Sequence, residues 1–239
     1  MDRTKILIVN DDGITSPLIK KLAYAATELG EVWVVAPDGQ RSAVSQSSTF
    51  GRTISVSEYD IGIEGVKAYA CSGTPADCMR LGILKIVPGR PDIALSGINN
   101  GPNISSDIQY SGTVGAAFEA SFLGVPAIAV SQASDEGSEV TDRYLSELLK
   151  ECIGKPLPRD LVWNINFPGC SLSECKGVMR DAKVATDHFY DDEYVVSSSD
   201  DKVTEYELKS QRIWKATPGT DLAAIIDNYV AVGTVHNVC

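Results

Sequence analysis

A short apolar run that ends abruptly in acidic residues constrains the fold of this chain most strongly. The run Ile6 to Val9 is followed at once by Asn10, Asp11, Asp12 and Gly13. Four consecutive aliphatic residues bounded by turn formers are typical of a strand that is buried on both faces of a parallel sheet. Ligands of open α/β sheets bind just beyond the carboxyl ends of such strands. The pattern therefore predicts an α/β fold with a candidate site at Asp11 and Asp12.

Two neighbouring carboxylates at the end of a strand allow two interpretations. Their mutual repulsion favours a bound cation, a raised pKa of one carboxyl group, or both. Alternatively, Asp11 and Asp12 only begin a turn and cap the following helix. Both interpretations stay open until the other strand ends are considered.

A strand, a helix and a second strand follow one another at the start of the chain. Ser16 and Pro17 predict the beginning of a helix that runs to about Leu29 and ends at Gly30. The apolar run Val32 to Ala36 is the second strand. This βαβ order implies parallel strands joined by a right-handed crossover.

The alternation of strands and helices continues to residue 167, with two long polar segments between elements. We predict the polar segments, Pro37 to Gly51 and Ser96 to Asn103, to be loops that hold ligands. The further predicted strands and helices are strands at Thr53–Val56, Val66–Cys71, Asp92–Leu95, Val125–Val130 and Leu161–Phe167, and helices at Pro75 to about Val87, Gly112–Leu123 and Glu139 to about Ile153.

Beyond Pro168 the pattern changes to β segments separated by acidic and serine-rich turns. The turn at Ser197 to Asp201 predicts a protruding hairpin, and Leu222 to Ile226 predicts a short helix. We therefore divide the chain into an α/β core, residues 1–167, and a β-rich extension, residues 168–239, which we expect to pack on the core and to take part in oligomer contacts. The expected fold class is α/β, a Rossmann-like doubly wound, mostly parallel sheet with a C-terminal β-hairpin extension.

The charge balance excludes several classes of partner. The 239 residues include 32 acidic and 21 basic side chains, a formal net charge of -11, which disfavours binding to a nucleic-acid duplex or to a membrane surface. No leader-like apolar stretch and no apolar segment of membrane-spanning length is present, so we expect a cytoplasmic protein. Six scattered cysteines without a Cys-x-x-Cys spacing, and only two histidines, argue against a zinc or disulfide framework.

Oxygen donors follow three of the predicted strands. Asp11 and Asp12 follow the first, Ser42 or a neighbouring hydroxyl follows the second, and Asn99 follows the strand that starts at Asp92. Carboxylate, hydroxyl and amide oxygens suit a hard cation such as Mg²⁺ or Mn²⁺ better than zinc or copper. A cation held there supports the attack of water on phosphorus.

A second polar group precedes the helix predicted at Gly112. Free N–H groups at a helix start favour an anion, and the hydroxyls of Ser111 and Thr113 add donors, so a phosphate is expected there. Alternatively, Ser111 or Thr113 is only a helix cap. Asn99, Asn100 and Asn103 are likewise either site residues or turn formers in a glycine-rich segment.

Five motifs in order resemble the SurE family, the stationary-phase survival nucleotidases, over about the first 131 residues, and a weaker motif follows near the carboxyl end. The motifs are Asn10-Asp11-Asp12-Gly13; Ala36-Pro37-Asp38 with Arg41-Ser42, Ser45, Ser47 and Thr49; Gly73-Thr74-Pro75 with Asp77-Cys78; Ser96-Gly97-Ile98-Asn99 with Gly101 and Asn103; Tyr110-Ser111-Gly112-Thr113-Val114; and Pro218-Gly219-Thr220-Asp221 with Tyr229-Val230.

The resemblance implies a metal-dependent phosphatase of nucleoside 5′- and 3′-monophosphates, and some family members also trim short polyphosphate. It further implies a homodimer or homotetramer and one divalent cation, Mg²⁺ or Mn²⁺, per subunit. In family members the loop that corresponds to Pro37 to Gly51 more often has a glycine where this chain has Ala43. The positions that match family site residues are Asp11, Asp12, Ser42 and Asn99 for the metal, with Asp11 and Asp12 also catalytic, and Asn103, Ser111, Gly112 and Thr113 for the phosphate.

Two other functions are compatible with parts of the pattern. Receiver-type signalling domains also begin with an apolar strand that ends in paired acids holding magnesium. A receiver is about half as long, however, and has a phosphorylatable aspartate where this chain has Asn99. A nicotinamide dinucleotide enzyme is disfavoured because the first strand-to-helix turn lacks Gly-x-Gly-x-x-Gly.

Overall fold

The structure, a computed structural model, describes residues 3–133, 139–155 and 157–237. Met1 and Cys239, the outer limits of the two predicted units, lie outside the described residues. The strands of the described part are β1 (Lys5–Val9), β2 (Glu31–Pro37), β3 (Val56–Tyr59), β4 (Lys67–Cys71), β5 (Ile93–Asn100), β6 (Ala127–Gln132), β7 (Leu161–Phe167), β8 (Val178–Arg180), β9 (Tyr190–Ser199), β10 (Thr204–Arg212) and β11 (Val230–His236). Its helices are α1 (Pro17–Thr27), α2 (Pro75–Leu81), α3 (Gly112–Phe122), α4 (Glu139–Ile153) and α5 (Asp221–Ile226).

Nine strands of the described part form one sheet in the order β3-β4-β2-β1-β5-β6-β7-β11-β8. The six strands from β4 to β7 in this order run parallel. Outside them, β3 and β11 are antiparallel to their inner neighbours, β4 and β7. Strands β9 and β10 pair with each other in a separate antiparallel ribbon. The predicted α/β fold with a mostly parallel sheet and a hairpin is confirmed.

Helices cover both faces of the sheet, which explains why Ile6 to Val9 of β1 are all apolar. Ile6 and Ile8 pack into the core that α1 and α4 share, whereas Leu7 and Val9 pack into the core under α2 and α3. All four side chains are fully buried. Each contributes roughly 1.5–3 kcal/mol of transfer free energy, so the strand that carries the acidic turn is held from both sides.

The ends of α1 are set by local chemistry, as the sequence predicts. Ser16 accepts a hydrogen bond from the N–H of Leu18, and Pro17 occupies the first helical position. At Gly30 a Cβ atom would lie 2.0 Å from the carbonyl oxygen of Thr4, so only glycine fits where the chain turns back into the sheet.

Three elements differ most from their predicted bounds. The edge strand β3 begins at Val56, where the predicted strand ends. Strand β5 continues to Asn100 because Asn99 and Asn100 pair with Ser131 and Gln132 of β6, so the predicted loop from Ser96 is a strand in its first half. Helix α2 ends at Leu81 and continues as a wider π-type turn, residues 82–86.

The carboxyl-terminal part of the chain is divided between the main sheet and the ribbon. β11 pairs with β7 from His236↔Leu161 to Ala231↔Asn166, so it extends the main sheet. The ribbon formed by β9 and β10 turns at Asp200, whose carboxylate accepts the N–H groups of Lys202 and Val203. In the described ranges, no helix has the length and apolar character needed to cross a membrane.

Candidate active site

The acidic turn after β1 is fixed by the buried side chain of Asn10. Its amide nitrogen donates to the carbonyl oxygen of Gly13 at 3.0 Å, and its amide oxygen accepts the N–H of Gly13 at 3.2 Å. Gly13 has a φ of +95°, and a Cβ atom there would lie 3.1 Å from the backbone of Gly39. Asn10 and Gly13 therefore set the direction in which the next side chains leave the sheet.

Asp11 is buried against the first turn of α3. Thr113 Oγ1 donates to Asp11 Oδ1 at 2.6 Å. A Cβ atom at Gly112 would lie 2.9 Å from Asp11 Oδ2, so the glycine makes room for the carboxylate. The structure thus joins Asp11, Gly112 and Thr113, which the sequence assigns to two different groups.

The environment of the acidic pair opposes negative charge. Burial of Asp11, which is 3 % exposed, raises its pKa to about 6; hydrogen bonds from Thr113 oppose this rise, and the charge of Asp12 adds to it. Burial also raises the pKa of Asp12, and a hydrogen bond from the backbone of Asn100 opposes it. A cation beside the pair would offset the free-energy cost of holding two negative charges there, because an opposite charge favours the ionised form.

Asp12 connects the turn to the end of β5. Its Oδ2 accepts the N–H of Asn100 at 3.2 Å. Asn99 precedes this contact, and its amide nitrogen donates to the carbonyl oxygen of Gly101 at 2.7 Å. The extension of β5 past Leu95 therefore places Asn99 next to the residue that holds Asp12.

The serine-rich loop, residues 38–55, reaches the acidic turn through its backbone. The N–H of Arg41 donates to the carbonyl oxygen of Asp11 at 2.7 Å. Ser42 follows at an exposed position, where its hydroxyl accepts from Gln40 at 3.1 Å. Ala43 has a φ of +55°, in the left-handed region that favours glycine.

Helix α3 supports the far part of the same loop. At Gly115 a Cβ atom would lie 2.4 Å from the carbonyl oxygen of Ser45, so the loop backbone rests directly on the helix. The N–H of Ser45 donates to Tyr110 O at 3.0 Å. Gln46 donates to Glu119 Oε2 at 2.9 Å, and Arg80 forms an ion pair with the other oxygen of Glu119 at 2.5 Å.

The start of α3 offers groups that suit an anion. Ser111 caps the helix, as one of the two predicted alternatives has it, because its Oγ accepts the N–H of Val114 at 3.1 Å. The hydroxyl proton of Ser111 is still available to a ligand. The N–H of Gly112 opens the helix, where no intrahelical acceptor exists. Thr113 instead directs its hydroxyl to Asp11.

Asn103 lies in a neighbouring group of buried polar residues. Its amide nitrogen donates to Ser131 at 2.8 Å, and its backbone N–H donates to Asn166 Oδ1 at 2.8 Å. The carbonyl oxygen of Asn103 accepts from Asn164 and Asn166. The contacts of Asn103 are thus with the ends of β6 and β7, whereas the acidic pair contacts β5 and α3.

The oxygen donors fit a hard cation. In the described part of the chain, no group of three or more His, Cys, Asp or Glu side chains is placed to hold a metal ion. A cation at Asp11 and Asp12 therefore takes its other ligands from hydroxyl and amide oxygens or from water. Such a donor set suits Mg²⁺ or Mn²⁺.

Sequence reasoning missed two residues that shape the site. Asn10 orients the acidic turn, and Glu119 anchors the loop. Asn10 stands in the acidic motif itself, and an asparagine two or three residues before a glycine signals such a turn. Glu119 gives no comparable signal, because its partners Gln46 and Arg80 lie far away in the sequence.

Comparisons with known proteins show similarity over most of the chain. The family model described as "Survival protein SurE" matches residues 6–189. The 5′-nucleotidase SurE of Pelobacter propionicus is 37% identical over 244 residues, which cover 97% of this chain and 92% of the relative. The 5′/3′-nucleotidase SurE of Cronobacter sakazakii is 39% identical over 235 residues, with 97% and 90% covered.

A solved structure extends the similarity to three dimensions. The crystal structure of the SurE protein from Aquifex aeolicus superimposes with a TM-score of 0.84 at 34% sequence identity, covering 98% of this chain and 94% of that one. Sequence and fold thus agree over nearly the whole length. The chain belongs to the SurE family.

Proposed function

We propose that this protein is a metal-dependent phosphomonoesterase that hydrolyses nucleoside 5′-monophosphates and 3′-monophosphates. The observation that carries the proposal is the contact of Asp11 with Gly112 and Thr113. It brings a pair of carboxylates to the start of a helix, so that a cation and a phosphate are offered neighbouring positions. Relatives named 5′-nucleotidase and 5′/3′-nucleotidase, which are 37% and 39% identical over nearly the full chain, support the same activity.

The residues that hold the cation are Asp11, Asp12, Ser42 and Asn99. When bound, a divalent cation offsets charge on the phosphoryl oxygens and lowers the pKa of a water molecule. The chain offers these oxygens from three separate segments, the turn after β1, the serine-rich loop and the end of β5. Mg²⁺ and Mn²⁺ are both compatible with the donor set.

The phosphate is bound by the first turn of α3. The N–H of Gly112 and the hydroxyl of Ser111 donate to its oxygens, and the positive end of the helix favours its charge. Thr113 keeps Asp11 in place, and Asn103 supports the end of β5 from β6 and β7. The carboxylates of the pair accept the proton that the attacking water releases as its oxygen bonds to phosphorus. The proton then passes to the leaving sugar oxygen as the P–O bond breaks, so that the nucleoside and phosphate are released.

Phosphate release from GMP and AMP tests the proposal. We expect turnover with MgCl₂ or MnCl₂ and loss of turnover in EDTA. Asp12→Asn should lose activity at least 100-fold while circular dichroism and the melting temperature stay close to wild type. Asp191→Asn, an equal charge change at an exposed position of β9, is the matched control and should retain full activity.

Two outcomes contradict the proposal. Undiminished turnover after complete removal of metal would exclude the metal-dependent mechanism. A stable single phosphoryl adduct after incubation with acetyl phosphate, detected by intact mass, together with no phosphate release from nucleotides, would instead support a receiver-type domain.

A further inference from the structure

A cleft of about 410 Å³ lies beside the turn that precedes α3. This volume lies within the range of about 300–1,000 Å³ that is usual for small-molecule sites. Tyr110 is part of the wall and directly precedes Ser111, the cap of α3, so the cleft borders the proposed phosphate position. The residues that line the cleft are Ser106, Asp107, Tyr110, His188, Tyr190 and Asp192.

Two aromatic side chains form part of the cleft. Tyr110 is 66 % exposed, a large exposure for an aromatic ring beside a site. Tyr190 is half-buried and packs on Phe189 with ring centroids 4.7 Å apart, so its position is supported from behind. Exposed aromatic rings are the platforms on which nucleobases stack.

Two of the polar side chains that line the cleft, Asp107 and Asp192, are carboxylates, which accept hydrogen bonds. Asp107 and Asp192 lie close together: burial raises the pKa of Asp107, the charge of Asp192 raises it further, and His188 opposes both. Ser210 donates to Asp192 Oδ1 at 2.5 Å. Carboxylates accept hydrogen bonds and repel phosphate, so this cleft suits the donor-rich end of a substrate whose phosphate lies elsewhere.

Buried contacts hold the two walls of the cleft together. Asp221, which is buried, accepts the N–H of Ser105 at 3.1 Å and the N–H of Ala185 at 2.9 Å. The hydroxyl of Ser105 also donates to the carbonyl oxygen of Asp187. These bonds join the turn that carries Asp107 to the segment that leads into β9, so the cleft is formed before a ligand arrives.

We propose that this cleft is the nucleobase subsite and that it selects guanine, with the ring on Tyr110 and the N1–H and N2–H groups on the carboxylates of Asp107 and Asp192. The inference rests on the proposed function, because it takes the substrate phosphate to lie at the start of α3. Guanine presents two adjacent donors on one edge, which a carboxylate accepts together. Two other substrates serve as comparisons. Hypoxanthine, the base of IMP, lacks the exocyclic amino group of guanine, and ribose 5-phosphate lacks the base.

Selectivity among three substrates tests the subsite. We expect kcat/KM for GMP to exceed that for IMP by about tenfold, the effect of one hydrogen bond to a charged group. Asp107→Ala and Asp192→Ala should each lower kcat/KM for GMP, and the variant that removes the acceptor of the N2–H groups should abolish the preference over IMP. Tyr110→Ala should lower the ratio of kcat/KM for GMP to that for ribose 5-phosphate by about tenfold, whereas Tyr110→Phe, which keeps the ring, should preserve the ratio.

Two matched variants control for charge and for aromatic character. Asp191 neighbours Asp192 but points to the opposite face of β9, so Asp191→Ala should leave the GMP to IMP ratio unchanged. Phe50 is 87 % exposed in the serine-rich loop, and Phe50→Ala should leave the GMP to ribose 5-phosphate ratio unchanged. A fall in the latter ratio for Phe50→Ala but not for Tyr110→Ala would overturn the assignment.

The design separates failure of the subsite from failure of the proposed function. Phosphate release from ribose 5-phosphate without any preference for GMP over IMP would overturn the subsite and leave the phosphatase intact. Calorimetric titration with guanosine and inosine tests the cleft without phosphate chemistry, and we expect guanosine to bind about tenfold more tightly. Equal binding of the two nucleosides would also overturn the subsite.

Discussion

Thr113 Oγ1 donates a hydrogen bond of 2.6 Å to Asp11 Oδ1, across 102 positions of the sequence. Both residues are buried, so this bond positions one carboxylate of the pair and lowers its pKa against the effect of burial. Groups that orient a metal ligand in this way are worth about 10–100-fold in metal affinity or activity. The contact makes Thr113 a positioning residue for Asp11.

Replacing Thr113 by valine should lower the affinity for Mn²⁺ and kcat/KM for GMP about tenfold each. Valine keeps the shape but removes the donor, so the pKa of Asp11 should rise further. Thr113→Ser keeps the hydroxyl and is the matched control. Titration with Mn²⁺ and phosphate release check both effects, and equal behaviour of the valine and serine variants would contradict the role.

Gly112→Ala should reduce activity about 100-fold, the effect of displacing a reacting group by about 1 Å. The added Cβ atom would lie 2.9 Å from Asp11 Oδ2 and 3.0 Å from Asp11 Cβ, so the acid must move. Gly154→Ala, at the end of α4, places a Cβ atom at an ordinary 3.4 Å from Lys150 O and should be neutral. Steady-state kinetics at saturating Mn²⁺ distinguish the two variants.

Loosening the serine-rich loop should raise KM more than it lowers kcat. Gln46→Ala removes the contact of the loop with Glu119, whereas Glu119→Ala also leaves Arg80 without its carboxylate and should destabilise the whole protein. Arg41 and Arg52 lie in the loop, so limited digestion with trypsin reports its opening. Unchanged cleavage at these arginines in Gln46→Ala would show that the contact does not hold the loop.

Asp77 should make the fold sensitive to acid. Burial raises the pKa of Asp77, but hydrogen bonds from Thr49 and Thr74 outweigh burial and hold the pKa below its ordinary value. A folded-state pKa below the unfolded one stabilises the fold above about pH 4, and this contribution is lost as the pH falls through the folded-state value. The difference in urea midpoint between wild type and Asp77→Asn should therefore be full at pH 6 and shrink below pH 4. A difference that does not change with pH would contradict this account.

The ribbon of β9 and β10 should mediate self-association. Tyr194 pairs with Leu208 and Val196 pairs with Tyr206, so these four exposed side chains share one face. An isolated two-stranded ribbon is marginal in water, so we expect a second copy of the chain to cover this face. Val196→Thr with Tyr206→Thr keeps strand propensity and should lower the mass measured by light scattering. Val195→Thr on the opposite face is the control, and a monomeric wild type would contradict the expectation.

The parallel core was predictable because burial on both faces leaves only apolar residues. β1, β2, β6 and β7 appear close to their predicted positions, and Ser16 with Gly30 locates α1. The end of β5 was not predictable, since Gly97, Asn99 and Asn100 disfavour strands. Its extension depends on pairing with Ser131 and Gln132, which the local sequence does not reveal.

The candidate site was predictable as a set of strand ends but not as a set of contacts. Asp11 and Asp12 follow from their position after a buried strand, whereas Thr113 was assigned to the phosphate and contacts Asp11 in the structure. Ser42 could be singled out only by family resemblance, because several hydroxyls in its loop are equivalent by pattern. The metal and phosphate ligands stay predictions that the experiments above test.

The absence of a side chain at Gly115 has a consequence for local unfolding. Because the carbonyl of Ser45 occupies that space and Thr113 holds Asp11 from the same helix, the first two turns of α3 support the loop, the acid and the anion position together. Segments that share one support open as a single cooperative unit. The amide hydrogens of Ser45, Val114 and Gly115, each of which is hydrogen-bonded, should therefore exchange with solvent at one common free energy, so that the site is either assembled as a whole or lost as a whole.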